Sequence, residues 1–186
     1  MSKKIVIGID FDKIFVNYPP FVPTTLIERF YKKRNHKLSY RIPGKIEQQI
    51  RILSHTPLFR QPIKANISDL EKIFDGEKSS IFLVSSRFSF LKGKTNLWNK
   101  KHNISKFFEK MYFNYENQQP HLFKDRVIKK ENIKKFIDDD LDLLQYLSAK
   151  NPEVEFYWVT PNIAKVNLPK NIKMIRNLKE FRLKYL

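Results

Sequence analysis

Two groups of aspartates stand directly behind apolar runs in this 186-residue sequence. Asp10 and Asp12 follow Ile5-Val6-Ile7-Gly8-Ile9, and Asp138, Asp139 and Asp140 follow Ile133 to Ile137. Carboxylates this close repel one another, and a bound cation relieves the repulsion. Oxygen-only ligands in a chain without cysteine suit a hard ion, Mg²⁺ before Ca²⁺. A competing reading makes Asp138 to Asp142 only the acidic first turn of a helix, favourable to its dipole. A second acid group behind another apolar run argues for the cation. A carboxylate can also act as a covalent nucleophile, or as a general acid and base. A third apolar run, Ile81 to Val84, ends in Ser85, Ser86 and Arg87.

Short apolar runs with abrupt polar ends read as buried strands. Val154 to Val159 and Ile172 to Ile175 have the same character, and Met111-Tyr112-Phe113 has it more weakly. Helical stripes separate them. Thr25 and Glu28 have capping-box spacing, as do Ser68 and Glu71 ahead of Leu70, Ile73 and Phe74. Ile46, Ile50 and Leu53 share one helical face, as do Ile104, Phe107, Phe108 and Met111, and Leu141, Leu144 and Leu147. These stripes, and Trp98, are expected to pack into the core. Strands alternating with helices imply crossovers and a mainly parallel sheet, so the expected fold is a three-layer α/β/α sandwich. Ligands bind such sheets outside the carboxyl ends of the strands, where all three polar groups stand. Residues 17–61 interrupt the alternation with a helical, basic, proline-punctuated stretch. They read as a small inserted cap, leaving 1–16 and 62–186 as the core domain.

Ile7-Gly8-Ile9-Asp10-Phe11-Asp12 resembles the first motif of the haloacid dehalogenase-like superfamily, in which an apolar strand is followed by Asp, any residue and Asp. Ile81 to Ser85 resembles its second motif, Lys124 its third-motif lysine, and Phe136-Ile137-Asp138-Asp139 its fourth motif in double-Asp form. The four occur in order over residues 5–142. The resemblance implies a Mg²⁺-dependent phosphomonoester hydrolase, close to small nucleotidases with helical caps. Asp10 would take the phosphoryl group as an aspartyl phosphate. Asp12 would be the acid and base, which calls for a raised pKa of the kind neighbouring carboxylates favour. Asp10, the Asp12 backbone carbonyl and Asp139 would hold Mg²⁺, with Asp138 assisting. Ser85 and Lys124 would bind the transferring oxygens. Lys13 and Ile14 depart from the Gly and Thr or Val usual after the second Asp, and Lys129 is a rival to Lys124.

The net charge of +17 favours anionic partners, either small phosphorylated substrates such as nucleotides or nucleic acid. A nucleic-acid-associated protein, as end-phosphatase or basic binding module, is therefore the alternative function. Scattered lysines also fit plain compositional bias. Arg29, Lys32, Lys33, Arg34, Arg41 and Lys45 could face an anionic substrate from the cap. His36, His55, His102 and His121 have no ligand-like spacing and read as structural or surface residues. Only four glycines are present, so there is no Gly-rich phosphate loop. The apolar run after Lys4 is too short for a signal-peptide core, and a soluble, cytoplasmic protein without a membrane partner is expected.

Overall fold

The computed structural model describes residues 4–18, 38–56, 59–76, 79–161 and 166–186. Six strands form one sheet: β1 Ile5–Ile9, β2 Ser79–Ser85, β3 Lys110–Phe113, β4 Lys135–Asp138, β5 Glu155–Val159 and β6 Ile172–Ile175. Their order is β3-β2-β1-β4-β5-β6, and every pairing is parallel. The chain therefore builds outward from β1 through β2 to β3, then crosses back to place β4 on the other side of β1. This reversal opens a crevice between the carboxyl ends of β1 and β4.

Among the described residues six α-helices accompany the sheet: α1 Lys45–Ser54, α2 Lys64–Asp75, α3 Lys92–His102, α4 Pro120–Lys130, α5 Leu141–Lys150 and α6 Leu178–Tyr185. Because strand side chains alternate, each strand feeds two cores. Ile7, Ile9, Leu83 and Ile137 pack on one face with Leu70 and Ile73 of α2, Trp98 of α3 and Phe181 of α6. Phe82, Val84, Phe136 and Phe156 pack on the other with Phe123 and Val127 of α4 and Leu144 and Leu147 of α5. The result is the three-layer α/β/α sandwich expected from the alternation.

Three expectations fail locally. Ser68 and Glu71 do not open α2, which starts at Lys64 without a side-chain cap. Its start is set instead by tertiary pairing, since Ile63 N–H donates to the Phe15 carbonyl at 2.8 Å. Ile46, Ile50 and Leu53 share a face of α1 as expected, yet they are 80%, 61% and 68% exposed. The opposite face of α1, bearing Arg51 and His55 one turn apart, is the one turned inward. Ile104 and Phe107 lie in a 3₁₀ turn, Ile104–Phe107, and Phe108 is already extended, so their burial comes from a connector rather than one helical stripe. The Thr25–Glu28 capping box lies outside the described residues.

Val16-Asn17 and Gln61-Pro62 stand far apart in the sequence. These two points lie side by side: Asn17 N–H donates to the Gln61 carbonyl at 2.9 Å, and Val16 bridges Pro62. Among the described residues no helix is long and apolar enough to cross a membrane.

Candidate active site

β1 ends at Ile9, and the backbone of Asp10 still follows the sheet, its N–H donating to Ile137 of β4 at 2.9 Å. That bond sets Asp10 beside Asp138, the last residue of β4. Pro120 opens α4, and one turn later Lys124 lies buried over both acids. Its ammonium donates to Asp10 Oδ1 and to Asp138 Oδ2, each at 2.6 Å. Burial works against the charged lysine, but Asp10 and Asp138 override it and push its pKa up. Lys129 instead faces solvent and pairs with Asp125 at 2.7 Å, outside the cavity.

The acidic run after β4 divides between two tasks. Asp140 caps α5, its side chain accepting from Leu143 N–H at 3.3 Å, and Asp142 lies in the first turn. Asp138 and Asp139 turn toward Asp10, and one oxygen from each of the three lies within 4.8 Å of the others. An all-carboxylate donor set of this size fits Mg²⁺. Lys13 already brings one positive charge, with Nζ 2.8 Å from Asp139 Oδ2. Burial raises Asp10 well above the usual carboxylate range although Lys124 opposes it. Burial also raises Asp139, to about 7, against the pull of Lys13.

Asp12 contradicts its expectation. Burial acts to raise its pKa, but the Arg87 guanidinium outweighs burial and holds the carboxyl below the usual range. Arg87 donates from Nε at 2.8 Å and from Nη2 at 2.7 Å, a fork-like grip on both carboxylate oxygens. Arg60 adds a second charge 3.6 Å away. Arg87 is itself fixed by Thr95 Oγ1 at 3.1 Å and by the face of the Phe11 ring. The neighbouring carboxylates therefore do not control Asp12; two arginines do.

Arg60 and His55 carry part of this electrostatic arrangement, and no sequence signal marks them. His55 is buried, with Nδ1 2.6 Å from the Arg51 carbonyl and Nε2 2.8 Å from Arg60 Nη2. A carbonyl only accepts and a guanidinium only donates, so the proton sits on Nδ1 and the ring is neutral. Burial, then Arg60 and Arg87, lower its pKa to about 3. Arg60 is held through its carbonyl by Trp98 Nε1 at 2.9 Å, so Trp98 packs and also positions.

Asp10, Asp12, Lys13, His55, Arg60, Arg87, Lys124, Asp138 and Asp139 line one cavity of about 350 Å³, with Ser85 and Ser86 at its β2 edge and Tyr18, Tyr40, Phe88 and Trp158 on its walls. Ser85 is buried, and its hydroxyl accepts from Arg87 N–H at 3.4 Å. Tyr40 fastens the segment ahead of α1 to the sheet's helical layer. Its backbone exchanges hydrogen bonds with the Gln119 amide at 2.9 and 3.1 Å, and its hydroxyl donates to Asp140 at 2.7 Å. Of the basic residues expected to face a substrate, Arg29, Lys32, Lys33 and Arg34 lie outside the described residues. Arg41 pairs with Glu47, and neither it nor Lys45 lines the cavity.

No family model matches the sequence, and no curated protein matches it. The fold is nonetheless shared with solved structures. The HAD-hydrolase YfnB from Bacillus subtilis, bound to magnesium, superposes with a TM-score of 0.62 at 11% identity, over 100% of both chains. A haloacid dehalogenase-like family hydrolase from Xanthomonas campestris gives 0.61 at 10% identity, over 94% of this chain and 91% of that one. A HAD family enzyme from Bacteroides thetaiotaomicron, in complex with magnesium and inorganic phosphate, gives 0.54 at 16% identity, over 88% and 97%. With its central parallel sheet and its aspartates at the carboxyl ends of β1 and β4, the chain has the haloacid dehalogenase-like fold.

Proposed function

We propose that this chain is a Mg²⁺-dependent phosphomonoester hydrolase with Asp10 as nucleophile. One observation carries the reading. Asp10 lies against Lys124 at 2.6 Å, inside a ring of Asp138 and Asp139, in a cavity that also presents Ser85 and Arg87. Asp10, Asp138 and Asp139 would hold the ion, which supplies positive charge to the nucleophile and to the phosphoryl oxygens when bound. Lys124 supports the ionised form of Asp10 against its burial. Ser85 and Lys124 offer donors to the equatorial oxygens of the transferring group.

In the first half-reaction an Asp10 oxygen bonds to phosphorus, the bond to the leaving oxygen breaks, and Asp12 gives that oxygen a proton. In the second, water attacks phosphorus, the bond to Asp10 breaks, and Asp12 takes the proton from water. The arginine grip on Asp12 suits the second role and opposes the first. A phosphate dianion competes for Arg87 and Arg60. As they turn to it, Asp12 is left beside Asp10 with less countercharge, and its pKa rises toward that of an acid.

Residues 17–61 are assigned as the cap, since Tyr40, Arg51 and His55 close one wall of the cavity. A volume of about 350 Å³ and aromatic walls favour a small phosphate such as a nucleotide. A chain without cysteine fits a cytoplasmic enzyme. The test is a phosphate-release screen over nucleotides, sugar phosphates and 3′- or 5′-phosphorylated oligonucleotides with Mg²⁺. Asp10→Asn, folded by circular dichroism, should release phosphate at under about a thousandth of the wild-type rate. Comparable release by both proteins would remove Asp10 from the reaction.

A further inference from the structure

A second cavity, of about 390 Å³, runs along the outer edge of the sheet between β3 and α4. It shares no lining residue with the catalytic cavity. Its walls carry partly exposed rings from Tyr112, Phe113 and Tyr115. Phe113 and Tyr115 stack, with centroids 5.3 Å apart and planes 10° apart. Cations surround them. Lys92 lies 5.5 Å from the Tyr115 centroid, and Lys110 and Lys130 lie 4.9 and 5.4 Å from that of Tyr112. None of these three lysines forms an ion pair with a carboxylate among the described residues. On the rim Arg126 meets Glu116 at 3.4 Å, a pair with both side chains more than half exposed and so easily exchanged.

Two further facts concern charge. The catalytic cavity is nearly balanced, with six aspartates against five lysines and arginines, so the excess of +17 lies elsewhere. α3, which begins at Lys92 beside the groove, has four lysines and no acid. Rings and cations wrap this edge of the sheet, Tyr112 on the α4 face and the Phe113–Tyr115 stack on the α3 face, and they match a polymer that alternates flat apolar faces with negative charges. Single-stranded nucleic acid has that pattern: its bases stack on rings while lysines follow the phosphates. A duplex hides its base faces, and an acidic peptide has none.

We propose that the β3 edge of the sheet, with the groove it forms against α4, binds single-stranded nucleic acid. Phe113 is the last residue of β3, so the groove opens at the carboxyl end of the sheet, the same end as Asp10. The site does not depend on the phosphatase reading and would stand if Asp10 proved inert.

The test is fluorescence anisotropy of the full chain with a labelled oligothymidylate of about twelve nucleotides, titrated between about 50 and 200 mM salt. Tyr112→Leu and Tyr115→Leu remove the ring but keep apolar bulk, and each should weaken binding by at least about fivefold. Tyr115→Phe, which keeps the ring, should bind as the wild type does, and this variant separates lost stacking from lost fold. Lys110→Gln and Lys130→Gln should each lower the salt dependence of binding. Lys170→Gln, beside β6 at the far edge of the sheet, should change nothing. The proposal is overturned if the oligonucleotide does not bind, or if both Leu variants bind as tightly as the wild type. It is also overturned if polyphosphate or polyglutamate of equal charge displaces the oligonucleotide as well as unlabelled oligonucleotide does, the latter outcome pointing to an acidic protein partner.

Discussion

Lys13 holds a backbone position with φ of 57°, where a side chain meets its own carbonyl and only glycine is at ease. Its ammonium lies against Asp139, one of three carboxylates that converge on the candidate metal position. Lys13 and a divalent ion therefore compete for the same oxygen. Lys13→Gly should relieve the backbone and tighten Mg²⁺ binding by about tenfold, the equivalent of ~1.4 kcal/mol, read by titration calorimetry without substrate. Equal affinities in the two proteins would show that Lys13 does not occupy the ion's place. His55 gives a stability prediction. Its folded pKa of about 3 lies below the ordinary histidine value, because burial and two arginines favour the neutral ring. The unfolded chain thus takes up a proton first as pH falls. The contribution of His55 is intact above about pH 6.5 and is lost progressively toward pH 3. At pH 5 the loss should be about 2 kcal/mol relative to pH 7, and His55→Gln should flatten that part of the profile. Urea unfolding at the two pH values checks it, and parallel profiles for both proteins would exclude His55 as the source.

Among the elements, β1 is the most constrained. It lies between β2 and β4, and a Cβ on Gly8 would stand 2.6 Å from the Phe136 ring and 2.9 Å from Ile133. Neither side chain has room to withdraw, because both are buried in the core beneath α4 and α5. Gly8→Ala should therefore destabilise by about 1–3 kcal/mol through overpacking, measured by denaturant unfolding. An unchanged midpoint would mean that Phe136 can repack. The inner strands were legible in sequence because each is a short apolar run whose burial on both faces leaves a local trace, while β3, an edge strand without a buried residue, left a weaker one. β4 begins at Lys135 rather than Ile133, yet its end at Asp138, which sets the site, agrees with the reading from sequence. Asp10, Asp138 and Asp139 were legible for the same reason: they are the first polar residues after such runs. The start of α2 was not, since it depends on Ile63 pairing with Phe15 across 48 residues. The orientation of α1 was not legible either. Periodicity shows that Ile46, Ile50 and Leu53 share a face but not which way that face turns, and Arg60, which bonds His55, is itself held by Trp98 38 residues away. Arg60 and the arginine grip on Asp12 were hidden for the same reason.

At the scale of the whole molecule, the segment from Leu38 to His55, the proposed cap side, meets the sheet and its helices over the cavity. Tyr40 is the one residue of the segment buried in a core cluster, with Leu38 beside it, and the other described contacts named here are polar. Tyr40 exchanges two hydrogen bonds with Gln119 and reaches Asp140, while His55 meets Arg60. Gln119 and Asp140 adjoin the candidate site, since Gln119 precedes α4, which carries Lys124, and Asp140 follows Asp139. α1 contributes no buried residue to either core cluster, so little apolar burial opposes its opening. The sheet, by contrast, is closed on both faces by packed helices. Opening on the cap side should therefore cost far less free energy than opening of β1 or β4. A ligand that fills the cavity binds both sides at once and biases the pair toward closure. Hydrogen exchange should accordingly show Tyr40 and Lys45–Ser54 exchanging faster than β1 and β4 in the free protein. Adding Mg²⁺ with a phosphate analogue such as vanadate should slow them by about tenfold or more, leaving the sheet nearly unchanged, while Tyr40→Phe should lose part of that protection because the contact with Asp140 is gone. Uniform protection of α1 and the sheet before and after ligand would mean that the cap side is a fixed wall and that substrate reaches Asp10 by another path.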